Sequence, residues 1–228
     1  MVLADAKSIA YRLDGLRSKV LELNQGIEAE VNLVLDAMLP PDRVVDAVRS
    51  FHARFPTVAL NLRVEALGAV MQTVLDRKAV IGIAGPPDES IEGIERIEMG
   101  SVEMVPVAAP QHPLATSTTH APGAGRNHVQ LVLTDKSGRT KGRDLGVHGT
   151  HTWRLTDLGS KHLLLLSGLG WGLMPLPHVQ DDLAAGRLVR LHLPDCKGGP
   201  YRMFAIYRTD RPPGPAARFI LSRFSAQV

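Results

Sequence analysis

VNLVLDAMLPPDRVVDAVRSFHARFPTVALNLRVEALGAVMQTVLDRKAVIGIA, residues 31–84, is the stretch that decides the fold. Val31-Asn32-Leu33-Val34-Leu35 is a short apolar run that reads as a strand. Residues 41–55 carry Val44, Val45, Val48 and Phe51 on one helical face, and Pro56 ends the helix. Residues 58–64 read as a second strand, 67–77 as a helix, and 79–84 as an Ile- and Val-rich third strand. Strand–helix–strand–helix–strand within about 55 residues predicts two right-handed crossovers and a parallel sheet.

Gly85-Pro86-Pro87 breaks this pattern. Beyond it, residues 102–109 read as a strand and 110–126 as a loop rich in Pro and Gly. Strands at 130–134 and 153–155 precede a helix at 156–167, and Gly168-Leu169-Gly170-Trp171-Gly172-Leu173-Met174 leads into a buried strand. A helix at 177–185, strands at 188–193 and 201–208, and a helix at 215–224 follow. Two α/β units with a strand and helix left over predict an α/β, bilobal fold joined by two crossover strands. Lobe I is expected at 27–104 and 206–228, lobe II at 105–205, and a linker helix at 1–26.

In that linker, Ala6, Ile9, Leu13, Leu16, Val20 and Leu23 alternate spacings of three and four, the a/d seam of a helix. Charged residues from Asp5 to Glu22 fill the other faces. So narrow a seam must be buried. A second copy is the expected partner, giving a homodimer or homotetramer through Ile9, Leu13, Leu16, Val20 and Leu23; packing on the chain's own domain is the alternative.

Composition narrows the function classes. The 228 residues are 44% apolar and 21% charged, ordinary for a soluble globular protein. Against 26 basic residues stand 23 acidic ones, scattered, so the basic face of a nucleic-acid-binding domain is missing. The one dense basic run, 136–143, is broken by Ser and Gly and reads as a solvated loop. A single cysteine, Cys196, excludes an internal disulfide and a multi-cysteine metal site. The longest apolar stretch, 163–177, falls short of the roughly 20 residues of a membrane helix. Residues 1–26 lack the apolar core of an export signal. A soluble, cytoplasmic protein with no membrane partner is expected.

Four stretches together resemble the regulatory region of LysR-type transcriptional regulators across essentially the whole chain. Phe51-His52-Ala53-Arg54-Phe55-Pro56-Thr57-Val58 resembles the family's F-x-x-x-Y-P-x-V, and Leu75 to Ile83 its L-x-x-G-x-x-D-x-x-I. Ala109-Pro110-Gln111-His112-Pro113-Leu114-Ala115 resembles its His-Pro-Leu segment, and Ser167 to Pro175 its G-x-G-x-x-x-x-P. Arg77 stands where the family usually has Gly, and Val80 where it usually has Asp. The resemblance implies a periplasmic-binding-protein-like fold in which a small-molecule effector between the lobes alters how an oligomer engages promoter DNA. It also implies a winged helix-turn-helix ahead of the linker helix. Met1 falls within that helix, so the DNA-binding module is absent from this chain, trimming being favoured over natural truncation. A solute-binding protein, cytoplasmic or transporter-associated, is the alternative reading.

In such a fold the effector lies at the carboxyl ends of the parallel strands. The expected effector-binding residues are Asp36, Ala37, Met38, Leu39, Glu65 and Ala66 in the first lobe and Thr134, Asp135 and Thr156 in the second. The family often has hydroxyl residues, suited to a carboxylate, where Asp36 and Met38 stand. An acidic Asp36 would repel an anion, which favours an effector other than a simple carboxylate; the alternative is that Asp36 caps the helix near Pro41. Thr156 or Asp157 caps the following helix. Trp153 and Trp171 read as core residues. His148 and His151 lack further ligands at matching spacing, so no metal is expected. Gly168-Leu169-Gly170-Trp171-Gly172 enters a strand, whereas a dinucleotide loop must leave one and open a helix. No cofactor and no catalytic residue is expected, and the chain is read as a non-enzyme.

Overall fold

The computed structural model describes residues 26–117, 119–134, 136–139 and 146–225. The seam from Ala6 to Leu23, the linker helix expected at 1–26 save Gly26, and Asp135 lie outside them.

β1 (Glu30–Asp36), β2 (Ala59–Glu65) and β3 (Ile81–Ala84) pair in parallel in the order β2-β1-β3, with α1 (Pro41–Arg54) and α2 (Gly68–Leu75) as crossovers. β1 is covered on both faces. Val31, Leu33 and Leu35 meet Phe51, Phe55 and the helix α5 (Pro215–Ser225), while Val34 meets Val70 and Val74 of α2. On α1 the packed residues are Ala47 and Phe51, with Val44 against the same core. Val45 is 51% exposed. Positions 44, 47, 48 and 51 form the i, i+3, i+4, i+7 stripe, and 45 lies about 100° from 44, off that stripe.

The second lobe pairs β4 (Ile94–Ala108) with β7 (Trp171–Pro175), and β7 with β5 (Gln130–Leu133) and then β6 (Thr152–Leu155). Its helices are α3 (Leu158–Leu166) and α4 (Leu176–Ala184). β9 (Gly199–Arg208) runs antiparallel between β3 and β4, so among the described strands the order is β2-β1-β3-β9-β4-β7-β5-β6. β4 and β9 are the two strands that cross between the lobes. β4 begins eight residues before the sequence-predicted start at 102, and a register shift between Glu98 and Ser101 interrupts its pairing with β9. Of the strand expected at 188–193, only β8 (Val189–Arg190) forms, against β4. Trp171 is fully buried, but Trp153 is 48% exposed, because β6 is an edge strand.

The segment before β1 is tied to α5 by polar contacts. The Glu28 carboxylate accepts from the Ala216 and Ala217 amides at the start of α5 (2.9 and 3.3 Å), satisfying amides that a helix leaves unpaired.

Two residues past the end of α2 stands Arg77, a non-glycine residue in the left-handed region (φ 63°). Its amide donates to the Val74 carbonyl and that of Lys78 to Thr73. A side chain there costs about 1 kcal/mol. The Arg77–Asp210 pair, 3.8 Å apart and largely exposed, returns little of it. Arg77→Gly is expected to raise the unfolding free energy by about 0.5–1 kcal/mol, seen as a higher urea midpoint at unchanged slope. A lower midpoint would show that the ion pair outweighs the backbone strain.

Candidate functional site

The turns after β1 and β3 and the amino end of α2 face β5, β7 and α3 across a cavity of about 460 Å³, with Met104 of β4 and Tyr201 of β9 between them. Both lobes supply apolar walls: Met38, Leu67, Met71 and Ile91 from the first, Leu131, Leu133 and Leu173 from the second. Among the described residues the polar lining comprises Asp88, Gln130, Arg139, Lys161 and Tyr201. A concave, mostly apolar space with a few placed polar groups is the usual form of a small-molecule site.

Asp36 organises the first-lobe wall from behind. It is 1% exposed. Its carboxylate accepts from the Met38 amide (2.9 Å), the Gly85 amide (3.2 Å) and the Tyr201 hydroxyl (3.0 Å). Burial pushes its pKa up to about 6, against the pull of these donors and of the Leu67 amide. Burial and the neighbouring Asp36 hold the Tyr201 phenol well above its usual value. Asp36 therefore fastens β1, the turn after β3 and the crossing strand β9 to one another. It does not cap α1, whose preceding residue is Pro40 with no side-chain cap. Leu67, bonded into the same cluster, adopts φ 52°, ψ −127°, a conformation that a branched side chain tolerates only when its surroundings impose it.

Gln130 does the matching work in the second lobe. Its amide donates to the Gly146 carbonyl (2.7 Å) and accepts from the His148 and Gly149 amides (2.7 and 2.8 Å). Arg139 bridges the lobes, its Nε donating to Gln72 Oε1 on α2 (2.6 Å).

Lys161 is the least expected lining residue. It lies on the packed face of α3 with Leu158 and Leu165 and is 3% exposed. Its Nζ donates to the Leu173 carbonyl (2.6 Å), and no carboxylate among the described residues pairs with it. Burial lowers its pKa to about 8, with Cys196 nearby acting in the opposite direction. Its stem passes Gly172, where a Cβ would stand 3.2 Å from Lys161 Cε.

Of the residues expected from the sequence, Met38 lines the cavity. Asp36, Leu39 and Ala66 are buried within the wall. Ala37, Glu65 and Thr134 are half-buried and Thr156 is exposed. The Ala37 amide donates to Glu65 and that of Thr134 to Leu155, each closing a strand end. Asp157, not Thr156, caps α3, accepting from the Ser160 amide (2.6 Å). Sequence reasoning missed Lys161, Tyr201, Gln130 and Arg139. Lys161 had a signal: it falls three residues after Leu158 and four before Leu165, on the buried stripe of an amphipathic helix.

Among the described residues, no group of three or more His, Cys, Asp or Glu could hold a metal ion, and no helix is long and apolar enough to cross a membrane.

Comparison with known proteins agrees with this architecture. The chain is similar to the HTH-type transcriptional activator AllS of Klebsiella pneumoniae, 25% identical over 193 residues, or 82% of this chain and 71% of that protein. In the AllS of Salmonella typhi the matched part is 66% of the protein's length, so the chain spans about two thirds of these relatives. Among solved structures, the regulatory domain of CcmR from Synechocystis PCC6803, in complex with 2-PG, superposes with a TM-score of 0.70 at 15% identity, covering 86% of this chain and 96% of that one. The effector binding domain of QuiR, in complex with shikimate, gives 0.68 at 15% identity, covering 86% and 95%. A sequence profile of the LysR substrate binding domain matches residues 24–227, and the chain belongs to that family.

Proposed function

We propose that this chain is the effector-sensing and oligomerisation region of a LysR-type transcription regulator, a binding module and not an enzyme, working in the cytoplasm. The observation that carries the reading is the cavity of about 460 Å³ to which both lobes contribute wall. A ligand touching both lobes favours the arrangement that brings those walls together, and so shifts the population of lobe arrangements. The effector-bound domains of CcmR and QuiR support the same use of the fold. Promoter DNA would be reached through a helix-turn-helix that is not among these residues.

A thermal-unfolding screen against a few hundred metabolites tests the reading. A compound that binds only the folded state stabilises it by about 2.7 kcal/mol at a hundredfold excess over Kd, roughly 5–10 °C for a domain of this size. Leu131→Trp, which fills the cavity, is expected to abolish the shift. Equal stabilisation of both chains would place the ligand elsewhere.

The heptad spacing of Ile9, Leu13, Leu16, Val20 and Leu23 supports homodimers or homotetramers. Leu13→Asp with Leu16→Asp is expected to convert the oligomer into a monomer in sedimentation velocity. Unchanged sedimentation would remove the seam from the proposal.

A further inference from the structure

We propose that the ligand held between the lobes is an anion with an apolar body, its carboxylate or phosphate seated between Lys161 of the second lobe and the amino end of α2 in the first. This rests on the reading of the cavity as an effector site. Lys161 is buried and lines the cavity, and among the described residues its one hydrogen bond is to a neutral carbonyl, Leu173. An ammonium withdrawn from water without a carboxylate leaves a charge to be compensated, and the open side of Lys161 is the cavity.

The opposite wall has the same sign. Leu67 and Gly68, at the start of α2, line the cavity, and a helix amino terminus favours negative charge. Among the described residues, the acidic ones nearby are committed elsewhere. Asp36 is turned into the wall towards Met38, Gly85 and Tyr201. Asp88, the acidic lining residue, accepts from the Ser90 amide (3.1 Å) and hydroxyl (2.7 Å). The repulsion that the sequence assigned to Asp36 therefore does not face the cavity. Met38, Met71, Leu131 and Leu173 supply the apolar surface for the rest of the ligand. An anion lying between Lys161 and α2 would touch both lobes at once, so the group that it carries is the one that draws them together.

The test compares acids with their uncharged counterparts: benzoate, cinnamate, octanoate and phenyl phosphate against benzamide, cinnamamide, octanamide and phenol. Calorimetric titration at pH 7 is run on the intact chain and on Lys161→Met and Lys161→Gln. At least one acid is expected to bind at least tenfold more tightly than its neutral partner. Both variants are expected to erase that preference while melting no lower than the parent chain, since each removes a buried charge and keeps the length of the stem. In the parent chain the acid's affinity should fall above pH 8 by up to tenfold per pH unit, as the free ammonium loses its proton. Equal binding of acids and neutral partners, neutral partners alone binding, or a preference that survives both substitutions would each overturn the anion while leaving the cavity as an effector site. Binding of neither class would overturn the anion with an apolar body, while the effector-site reading itself stands or falls with the metabolite screen.

Discussion

Alanine at position 198 is expected to cost about 2–5 kcal/mol of stability, a fall in melting temperature on the order of 10 °C. Gly198 adopts φ +77°, and a Cβ there would lie 2.0 Å from the Met104 carbonyl oxygen. The left-handed backbone costs a side chain about 1–2 kcal/mol. The clash adds roughly 1–3 kcal/mol, because a strand carbonyl cannot rotate aside as a side chain does. Met104 and Gly199 are register partners where β4 and β9 pass between the lobes, so relief of the clash must part the crossing strands. Gly186→Ala is the control, since Gly186 has φ +68° and open space around it. It should lose only the backbone cost. Equal losses at the two positions, measured by thermal and urea unfolding, would discard the close approach as the cause.

Asp36→Asn is expected to change sign with pH. Burial raises the carboxyl to about 6 in the folded chain, against 3.8 for an aspartate in water. A carboxyl whose folded pKa is raised contributes stability that is fully present below pH 3.8 and lost as pH rises through 6. The shift of about two pKa units corresponds to roughly 3 kcal/mol of penalty at neutral pH, undiluted by solvent because the group is buried. Asparagine cannot ionise, but it leaves the Gly85 amide without its acceptor, at about 1 kcal/mol. The variant should thus be about 1 kcal/mol less stable than the parent at pH 3 and about 2 kcal/mol more stable at pH 7.5. A difference that does not move across this range, in urea titrations at several pH values, would show that Asp36 titrates as an ordinary exposed carboxyl.

Much of the fold is legible in the sequence because local pattern and tertiary role coincide. Ile81–Ala84 is buried on both faces, as is most of Val31–Leu35, where Asn32 alone is polar, and this is what strands between two helical layers require. The start of β4 was missed because Ile94-Glu95-Arg96-Ile97-Glu98-Met99 is acid-rich and lacks clean alternation; it becomes a strand by pairing with β9, more than a hundred residues away in sequence. The cavity was less legible. Met38 follows a parallel strand, where a binding loop is expected. Tyr201 belongs to a crossing strand that returns from the far end of the chain, and Arg139 reaches Gln72 across 67 positions. Asp36 was noticed as a charge at a strand end. Which way that charge points depends on Tyr201 and Gly85, and no local pattern encodes them.

The position of β9 also orders events while the chain is being made. β4, β5, β6 and β7 of the second lobe pair among themselves and are all complete by Pro175. β3 and the first part of β4 meet only through β9, which ends at Arg208. A ribosome that has released residue 180 has supplied β4, β5, β6 and β7 of the second lobe, with only the two-residue β8 still to come, but left the third strand of the first lobe with an open edge. The lobe begun first is therefore the last to close, and until then its unpaired edge is the part of the nascent protein most open to pairing with the wrong chain.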